Sequence, residues 1–586
     1  MLRNTAIALA VCLVAGMADT GSRIAHAQTG YRKLAPFSAV RFVPEVQIDG
    51  QWYFLRSIDG VPVQEIVEYA MKLEKPKWAD RFGEDLVEVL TKMGHPPGET
   101  VTLVVRDPKT GKDKTLDKMP MTNEKRETVR KLNEEFEDRP IEPAPKALHS
   151  ALDALKTALD ERWSYRHVNR ADFDAAIAAL RKKIGPGISV SDFRIELQKI
   201  IALGIDGHAG IDDFRLPAEG CLPFLVEPQG ERFVAFRPDR GGFLAEGFPY
   251  LTKIDGRDVA DWCEAAAVFV PKGSPQYVRR NCLRHLRDLD YLRGLMKLPR
   301  KDTVEVELAA QDGNAKKTLT LPVAQRPPAY GTWPRGGSSL LEGNIGYLRL
   351  PNMDEAAVAA IKTWMPQFRD TVGLVIDVRD NGGGIRDPLR LIYSYLAAPN
   401  DPPRVINAAA YRLHKEHQKD HLEVRFMYRA DARKWTDEER QAIAEFAKTF
   451  EPEWKLPEDQ FSDWHYMVLS RLDNPDIYRY KKPIVVLMNA QCFSATDIFL
   501  AGLKGMKNVT LLGVPSGGGS ARSQDVALGA SPFVVTIASM ASFQRDGKLF
   551  EGNGVQPDVV VEPVPEYHIG GRDNALEEVV KRIKGK

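Results

Sequence analysis

The stretch "KPIVVLMNAQCFSATDIFLAGLKG", from Lys482 to Gly505, joins two apolar runs through a short polar segment that contains Ser494. The first run, "IVVLM", is continuously apolar and rich in β-branched residues, which is typical of a strand buried on both faces of a parallel sheet. The second run predicts a helix that begins at Ser494. A buried strand followed directly by a helix predicts an α/β core in this part of the chain.

Further strand and helix patterns extend this core over residues 335–586. Apolar strands are predicted in "NIGYLRL", "VGLVIDV", "NVTLLGV" and "FVVTIAS", with the helical pattern "DEAAVAAIKTWMPQF" after the first of them. Residues 399–482 are too long for a simple connection between two strands. They carry an amphipathic helix pattern, "DARKWTDEERQAIAEFAKTF", and we expect an insertion that covers the core and acts as a lid.

Two upstream segments resemble each other. "YFLRSIDGVPVQEI" (53–66) aligns with "PYLTKIDGRDVADW" (249–262), and each is followed by a predicted hairpin, at 100–116 and 303–319. We therefore expect two β-rich modules, at 38–122 and 219–326. Their pattern resembles PDZ domains, which bind extended peptides at a sheet edge. Spacer modules with blocked grooves are an equal alternative.

Between the modules, residues 140–212 predict a helical subdomain. Leu148, Leu152, Leu155 and Leu159 recur at helical spacing, and Ser and Asp residues stand at the predicted helix starts. The subdomain ends at "GIDGHAGI", which contains His208. The predicted fold class is thus α/β, with a helical subdomain and two PDZ-like β-rich modules added to the core.

The N-terminal residues 1–27 have the features of a secretory signal peptide. Arg3 precedes an apolar stretch of insufficient length to span a bilayer, and Ala25-His26-Ala27 forms a small-x-small ending that predicts cleavage after Ala27. No later segment approaches the ~20 apolar residues of a membrane helix. We expect an exported protein, periplasmic or extracellular, that does not insert into a membrane after cleavage.

Composition excludes several classes of function. Of 586 residues 43% are hydrophobic, which excludes general disorder, and 81 basic residues balance 80 acidic ones, so no nucleic-acid partner is indicated. After signal cleavage four cysteines remain, and either Cys263 pairs with Cys282 or all four are free thiols. There is no CxxC and no metal-ligand spacing, so we expect neither a metal nor another cofactor.

Ser494 has two possible roles. At a helix start, serine is a preferred N-cap, but the helix N-terminus and the N–H of Ala495 also suit an attacking oxygen and the oxyanion that it creates. The glycine run in "VIDVRDNGGG" supplies Gly382 and Gly383 as candidates for a second oxyanion donor, or forms a tight turn. "LFEGNGVQPDVVVE" contains Glu551, which by itself is compatible with a surface carboxylate.

Four segments in this order, "IGYLRLP", "LVIDVRDNGGG", "NAQCFSATDIF" and "EGNGVQPDV", resemble the S41 serine peptidases, a family that includes the C-terminal processing proteases and the tricorn protease. The resemblance implies a crotonase-like core built from ββα units and assigns the nucleophile to Ser494. The lysine base of the tail-specific branch falls at Gly519 here, and Lys504 is too far along the helix to replace it.

The other branch of the family uses a histidine and a glutamate, which the resemblance assigns to His208 and Glu551. An imidazole suits a serine nucleophile if a third group fixes its tautomer. Gly207 stands where that branch has a serine. The resemblance implies a secreted endopeptidase that hydrolyses peptide or protein substrates through an acyl-enzyme. A catalytically inactive relative that binds peptides or lipophilic ligands is the alternative.

Overall fold

The computed structural model describes residues 31–41, 45–73, 78–107, 110, 112–136, 145–184, 188–217, 220–417, 419–529 and 531–585. The predicted signal peptide lies outside these residues. Within them no helix has the length and apolarity needed to cross a membrane. The chain divides into two compact units, Met1–Asp138 and Arg139–Lys586.

The first unit is a β-sheet with helices. Its sheet order is β1-β2-β3-β5-β6, with β4 paired to β3. In β5 the apolar side chains alternate, so that Val101, Leu103 and Val105 are buried. The elements are β1 (Ala39–Arg41), β2 (Glu45–Ile48), β3 (Gln51–Ile58), β4 (Val61–Pro62), α1 (Val63–Leu73), α2 (Trp78–Glu84), α3 (Leu86–Lys92), β5 (Thr100–Arg106), β6 (Asp113–Pro120) and α4 (Asn123–Phe136).

The second unit starts with helices α5 (Pro145–Glu161), α6 (Phe173–Lys183) and α7 (Val190–Ile201). The leucines of α5 that set its helical spacing are all buried. Ser189 caps α7 by accepting a hydrogen bond from Asp192 N–H, as the sequence predicts. The short strand β7 (Gly210–Ile211) then pairs with β23 (Val534–Ala538), so the segment around His208 is joined to the C-terminal part of the chain.

A second β-rich module follows, and its sheet order is β13-β12-β10-β9-β8, with β11 paired to β10. The predicted repeat is visible in the turns. Asp59 and Asp255 both have a positive φ, and each carboxylate accepts a hydrogen bond from a strand N–H, that of Thr102 or Glu305. The elements are β8 (Leu225–Gln229), β9 (Arg232–Phe236), β10 (Tyr250–Ile254), β11 (Arg257–Asp258), α8 (Val259–Ala266), α9 (Pro275–His285), α10 (Leu289–Leu295), β12 (Thr303–Ala309) and β13 (Lys316–Pro322).

The core sheet has the order β14-β15-β16-β20-β21-β25, parallel except for β14. Every residue of "IGYLR", "GLVID" and "IVVLM" is buried, because helices cover both faces of the sheet. The elements are β14 (Ser339–Leu341), β15 (Ile345–Arg349), α11 (Glu355–Trp364), β16 (Gly373–Asp377), α12 (Asp387–Leu396), β20 (Ile484–Met488), α14 (Ala495–Leu503), β21 (Val509–Gly513), β25 (Val559–Val560) and α15 (Asn574–Lys584). The expectation of a mixed α/β core is confirmed.

The segment 399–482 carries the predicted helix, α13 (Asp437–Thr449), which begins with a capping box at Thr436. It also contains strands β17 (Arg404–Tyr411), β18 (Tyr428–Arg429) and β19 (His465–Leu469). These form a sheet of order β18-β19-β17-β24, where β24 is Met540–Phe543. Because β17 is hydrogen-bonded to β24, the segment is built into the core by a strand pairing. Strand β22 (Ser523–Ala527) completes the sheet of β23 and β7.

Candidate active site

Ser494 occupies the turn between β20 and α14 with an unusual backbone, φ +59° and ψ −119°. A non-glycine residue at positive φ is uncommon and costs free energy, so the surrounding structure must stabilise it. Buried Asn381 does so. Its carbonyl oxygen accepts a hydrogen bond from Phe493 N–H, and its side-chain oxygen accepts one from the Thr496 hydroxyl at 2.6 Å. Although Ser494 stands at the N-cap position, its hydroxyl makes no capping hydrogen bond.

The hydroxyl instead meets an imidazole from a distant part of the chain. His208 Nε2 lies 3.0 Å from Ser494 Oγ. The pairing of β7 with β23 brings the histidine there, since His208 precedes β7 by two residues. The other ring nitrogen, Nδ1, is buried and has no hydrogen-bond partner among the described residues.

Glu551 is 1% exposed at its side chain, and its Oε1 lies 3.8 Å from His208 Nδ1. This separation is longer than a hydrogen bond but short for two opposite charges. Two other groups hold the carboxylate in place. Oε2 accepts a hydrogen bond from the Tyr165 hydroxyl at 2.7 Å, and Oε1 accepts one from Ser520 N–H at 2.9 Å. Burial and the neighbouring Glu551 charge raise the pKa of Tyr165 well above its ordinary value.

Asp206 is a second carboxylate beside the histidine, and the sequence reasoning missed it. It is fully buried, and it accepts hydrogen bonds from His208 N–H at 3.0 Å, Trp163 Nε1–H at 2.8 Å and Ala538 N–H at 2.9 Å. Burial raises its pKa to about 6, and the nearby His208 opposes this shift. Its place two residues before His208 in "GIDGHAG" was the available signal.

Of the predicted oxyanion donors, Ala495 follows Ser494 directly, and Gly382 precedes Gly383, which packs on the serine turn. Ala495 N–H, at the first position of α14, and Gly382 N–H have no acceptor among the described residues. Gly383 differs, because its N–H donates to Asn381 Oδ1 at 2.9 Å. Its Cα is packed so closely on the turn that an added Cβ would lie 2.7 Å from Ser494 Cβ. Of the two glycines, Gly382 therefore presents the available amide.

No lysine of the described residues approaches Ser494 from the expected positions. Gly519 N–H donates to the buried Asp497 carboxylate at 3.0 Å, and an added Cβ at Gly519 would overlap the ring of Phe493. Lys504 stands at the other end of α14 and donates to the carbonyl oxygen of Gln556. Burial raises the pKa of Asp497 well above its ordinary value.

Asp206, His208 and Glu551 each place one ligand-type atom within 4.8 Å of the others, so the group has the composition of a metal site. The carboxylate oxygens of Asp206 and Glu551, however, already accept hydrogen bonds from the backbone or from Trp163 and Tyr165. Because these carboxylate oxygens are already hydrogen-bonded, the group is more consistent with an imidazole between two carboxylates than with a cation site. The four cysteines among the described residues are free thiols, so Cys263 and Cys282 do not form a disulfide.

Comparison with known proteins supports the family predicted from the motifs. Residues 344–561 match the model of peptidase family S41. A segment of 109 residues is 33% identical to a carboxy-terminal-processing protease of Bartonella bacilliformis, and it covers 18% of this chain and 25% of that protein. The aligned segment thus spans about a quarter of this curated relative.

The crystal structure of mature CPAF superposes with a TM-score of 0.54 at 18% identity, over 75% of this chain and 97% of that one. The structure of mature CPAF complexed with lactacystin superposes with a TM-score of 0.51, also at 18% identity, over 75% of this chain and 99% of that one. At this level of identity the likeness concerns the fold. The family match spans Ser494 and Glu551 and begins after His208.

Proposed function

Because residues 344–561 match the model of peptidase family S41, we propose that this protein is an exported serine endopeptidase in which Ser494 is the nucleophile and His208 the base. The observation that carries the proposal is the 3.0 Å distance between His208 Nε2 and Ser494 Oγ. This is hydrogen-bond distance, as a general base requires. The strained backbone at Ser494 adds support, because strain of this kind clusters at functional sites.

In the proposed reaction Ser494 Oγ attacks the carbonyl carbon of a peptide bond while His208 Nε2 takes the hydroxyl proton. The negative charge on the former carbonyl oxygen is met by the N–H groups of Ala495 and Gly382. His208 then gives the proton to the leaving amine, and an acyl-enzyme remains on Ser494. Water, activated by the same imidazole, hydrolyses that ester and restores the hydroxyl.

Glu551 stabilises the imidazolium that forms during both proton transfers. It is buried and carries its charge 3.8 Å from Nδ1, where the attraction is screened far less than in water. Asp206 anchors the backbone of His208 rather than its ring, since its carboxylate accepts from the His208 N–H. A lysine base is replaced here by histidine, because position 519 is a glycine packed against Phe493.

The finer features of the fold belong to the same proposal. We assign the core to the crotonase-like class and the two β-rich modules to the PDZ-like class, with the signal peptide removed after Ala27. A peptide or protein chain is the substrate. Export to the periplasm or the outside of the cell follows from the N-terminal pattern of Arg3, an apolar stretch and Ala25-His26-Ala27.

A serine-reactive fluorophosphonate probe tests this function on the mature protein. We expect covalent labelling at Ser494, located by peptide mapping, and hydrolysis of an unstructured protein such as casein. Ser494→Ala should lose both, whereas Ser523→Ala, the same change at an exposed serine of β22, should keep both. Labelling that persists in Ser494→Ala would remove Ser494 from the mechanism, and a folded wild-type protein that is never labelled would favour the ligand-binding alternative.

A further inference from the structure

No hydrogen bond to Glu551 explains the orientation of the His208 ring. In Ser–His–acid sites the acid normally holds the imidazole through Nδ1–H. Here Nδ1 has no partner among the described residues, and Glu551 Oε1 stands 3.8 Å away. The ring nevertheless places Nε2 at 3.0 Å from Ser494 Oγ. Packing against other side chains must therefore set the plane of the ring.

The packing partner is Phe493, the residue before the serine. The ring centroids of His208 and Phe493 are 4.6 Å apart, with 34° between the planes. Phe493 also stacks on Tyr277, with centroids 5.5 Å apart and 23° between the planes. Aromatic pairs at such distances attract each other beyond the effect of the area they bury. Phe493 thus contacts both the proposed base and a tyrosine of the second β-rich module.

Two glycines make room for this stack. An added Cβ at Gly207 would lie 2.6 Å from Phe493 Cζ and 3.3 Å from Tyr277 Cε2, and one at Gly519 would overlap the Phe493 ring. Both positions differ from the family that the motifs resemble: Gly207 stands where one branch has a serine, and Gly519 where the other has a lysine. The ring of Phe493 occupies the space into which side chains at both positions would extend.

Helix α9 of the second module fixes Tyr277 to the active-site loops. The Tyr277 hydroxyl donates to the carbonyl oxygen of Gly207 at 3.1 Å. Ser274, the N-cap of α9, donates from its hydroxyl to the carbonyl oxygen of Gly517 at 2.6 Å. Gln276 Nε2–H donates to the carbonyl oxygen of Ser516 at 2.7 Å. Helix α9 is therefore attached both to the loop that carries His208 and to the loop that follows β21.

The edge strand of the same module is closed to an incoming peptide. Along β8, alternate residues direct their N–H and C=O groups outward. The Tyr330 hydroxyl donates to Val226 C=O at 2.8 Å and accepts from Val226 N–H at 3.3 Å, and the next outward residue, Pro228, has no N–H. Strand addition at this edge lacks its usual backbone partners, so support of the active site is the role that the contacts favour.

We propose that Tyr277 and Phe493 are positioning residues that hold the His208 imidazole in line with Ser494 Oγ, in place of an acid hydrogen bond at Nδ1. The inference rests on the proposed peptidase function. Through Tyr277, the second β-rich module becomes a structural part of the active site. Without the stack the imidazole is free to turn about its side-chain bonds, and proton transfer requires a small set of those orientations.

Steady-state kinetics of Tyr277 variants in the full-length mature protein test the proposal. Tyr277→Leu removes the ring, and we expect kcat to fall by roughly 10²-fold while KM stays near its wild-type value. Tyr277→Phe keeps the stack and should retain kcat to within about fivefold, although it loses the hydrogen bond to Gly207. Tyr291→Leu, the same change at a tyrosine of α10 that packs on Phe269, is the matched control and should keep kcat.

Gly519→Ala gives a second test that leaves Tyr277 intact. Its methyl group would displace the Phe493 ring, so kcat should fall while fluorophosphonate still labels Ser494 slowly. If Tyr277→Leu does not fold, as judged by its melting transition, Gly519→Ala decides the question alone. Wild-type kcat in a folded Tyr277→Leu or in Gly519→Ala would overturn the proposal. A wild-type protein without labelling would instead overturn the peptidase function itself.

Discussion

Replacing Glu551 by Gln removes the buried charge beside the proposed base with little change in shape. The distance from Oε1 to His208 Nδ1 is 3.8 Å, and the carboxylate is 1% exposed. With an effective dielectric constant of ~20, two unit charges at this distance attract by about 4 kcal/mol. That attraction exists when the imidazole is protonated, as it is in the transition state, and is absent when it is neutral. Its loss should reduce kcat by about 10³-fold.

Steady-state hydrolysis of a peptide substrate, followed from pH 5 to pH 9, measures this effect. We expect KM to change little, because the substrate does not contact Glu551 in the proposed mechanism. The acceptors for Tyr165 and Ser520 change as well, so the melting temperature must be recorded. Glu458→Gln, at an exposed position, controls for the substitution. A folded Glu551→Gln variant within threefold of wild-type kcat would refute the electrostatic role.

Three further outcomes follow from the structure. Asp206→Asn replaces one oxygen by a donor that faces an N–H group, and it should lower the free energy of unfolding by roughly 1–3 kcal/mol in denaturant titrations. Gly383→Ala should abolish most activity, since its Cβ would lie 2.7 Å from Phe493 O at φ +108°, whereas Gly382→Ala, with open space around it, should stay folded and active. Burial lowers the pKa of His568 to about 4, below the ~6.5 of the unfolded chain. The unfolded state therefore binds more protons between these values, and stability should fall by up to about 3 kcal/mol from pH 6.5 to pH 4. His568→Phe should flatten that slope, and an unchanged slope would contradict the assignment.

Much of the fold could be predicted from local patterns. The strands "IGYLR", "GLVID" and "IVVLM", the hairpins after both Ile-Asp-Gly turns and the helix starts at Ser189 and Thr436 all depend on residues within a few positions of one another. The fold of residues 399–482 was harder to predict, and the lid role expected for this segment stays a prediction. Strand β17 pairs with β24, which lies more than a hundred residues further along the chain, and no local pattern specifies that partner.

The residues of the candidate site also differ in whether a local sequence pattern predicts them. Ser494, His208 and Glu551 were found because each lies in a short motif, and the structure brings the three together. Asp206 has a signal only in its closeness to His208. Asn381, whose side chain and backbone hold the serine turn, has a signal only in its place directly before the glycine run, because its partners in that turn, Phe493 and Thr496, come from a distant part of the chain.

From the sequence alone, Ser494 lies between a buried strand and a helix, and no lysine stands at position 519. Tertiary structure alone decided which role the serine has. The hydroxyl leaves the helix N-terminus uncapped and meets an imidazole 286 residues away, through a turn at positive φ and the pairing of β7 with β23. Propensity and periodicity are set by neighbours in the chain, whereas proton transfer depends on a 3 Å distance that packing between remote segments creates.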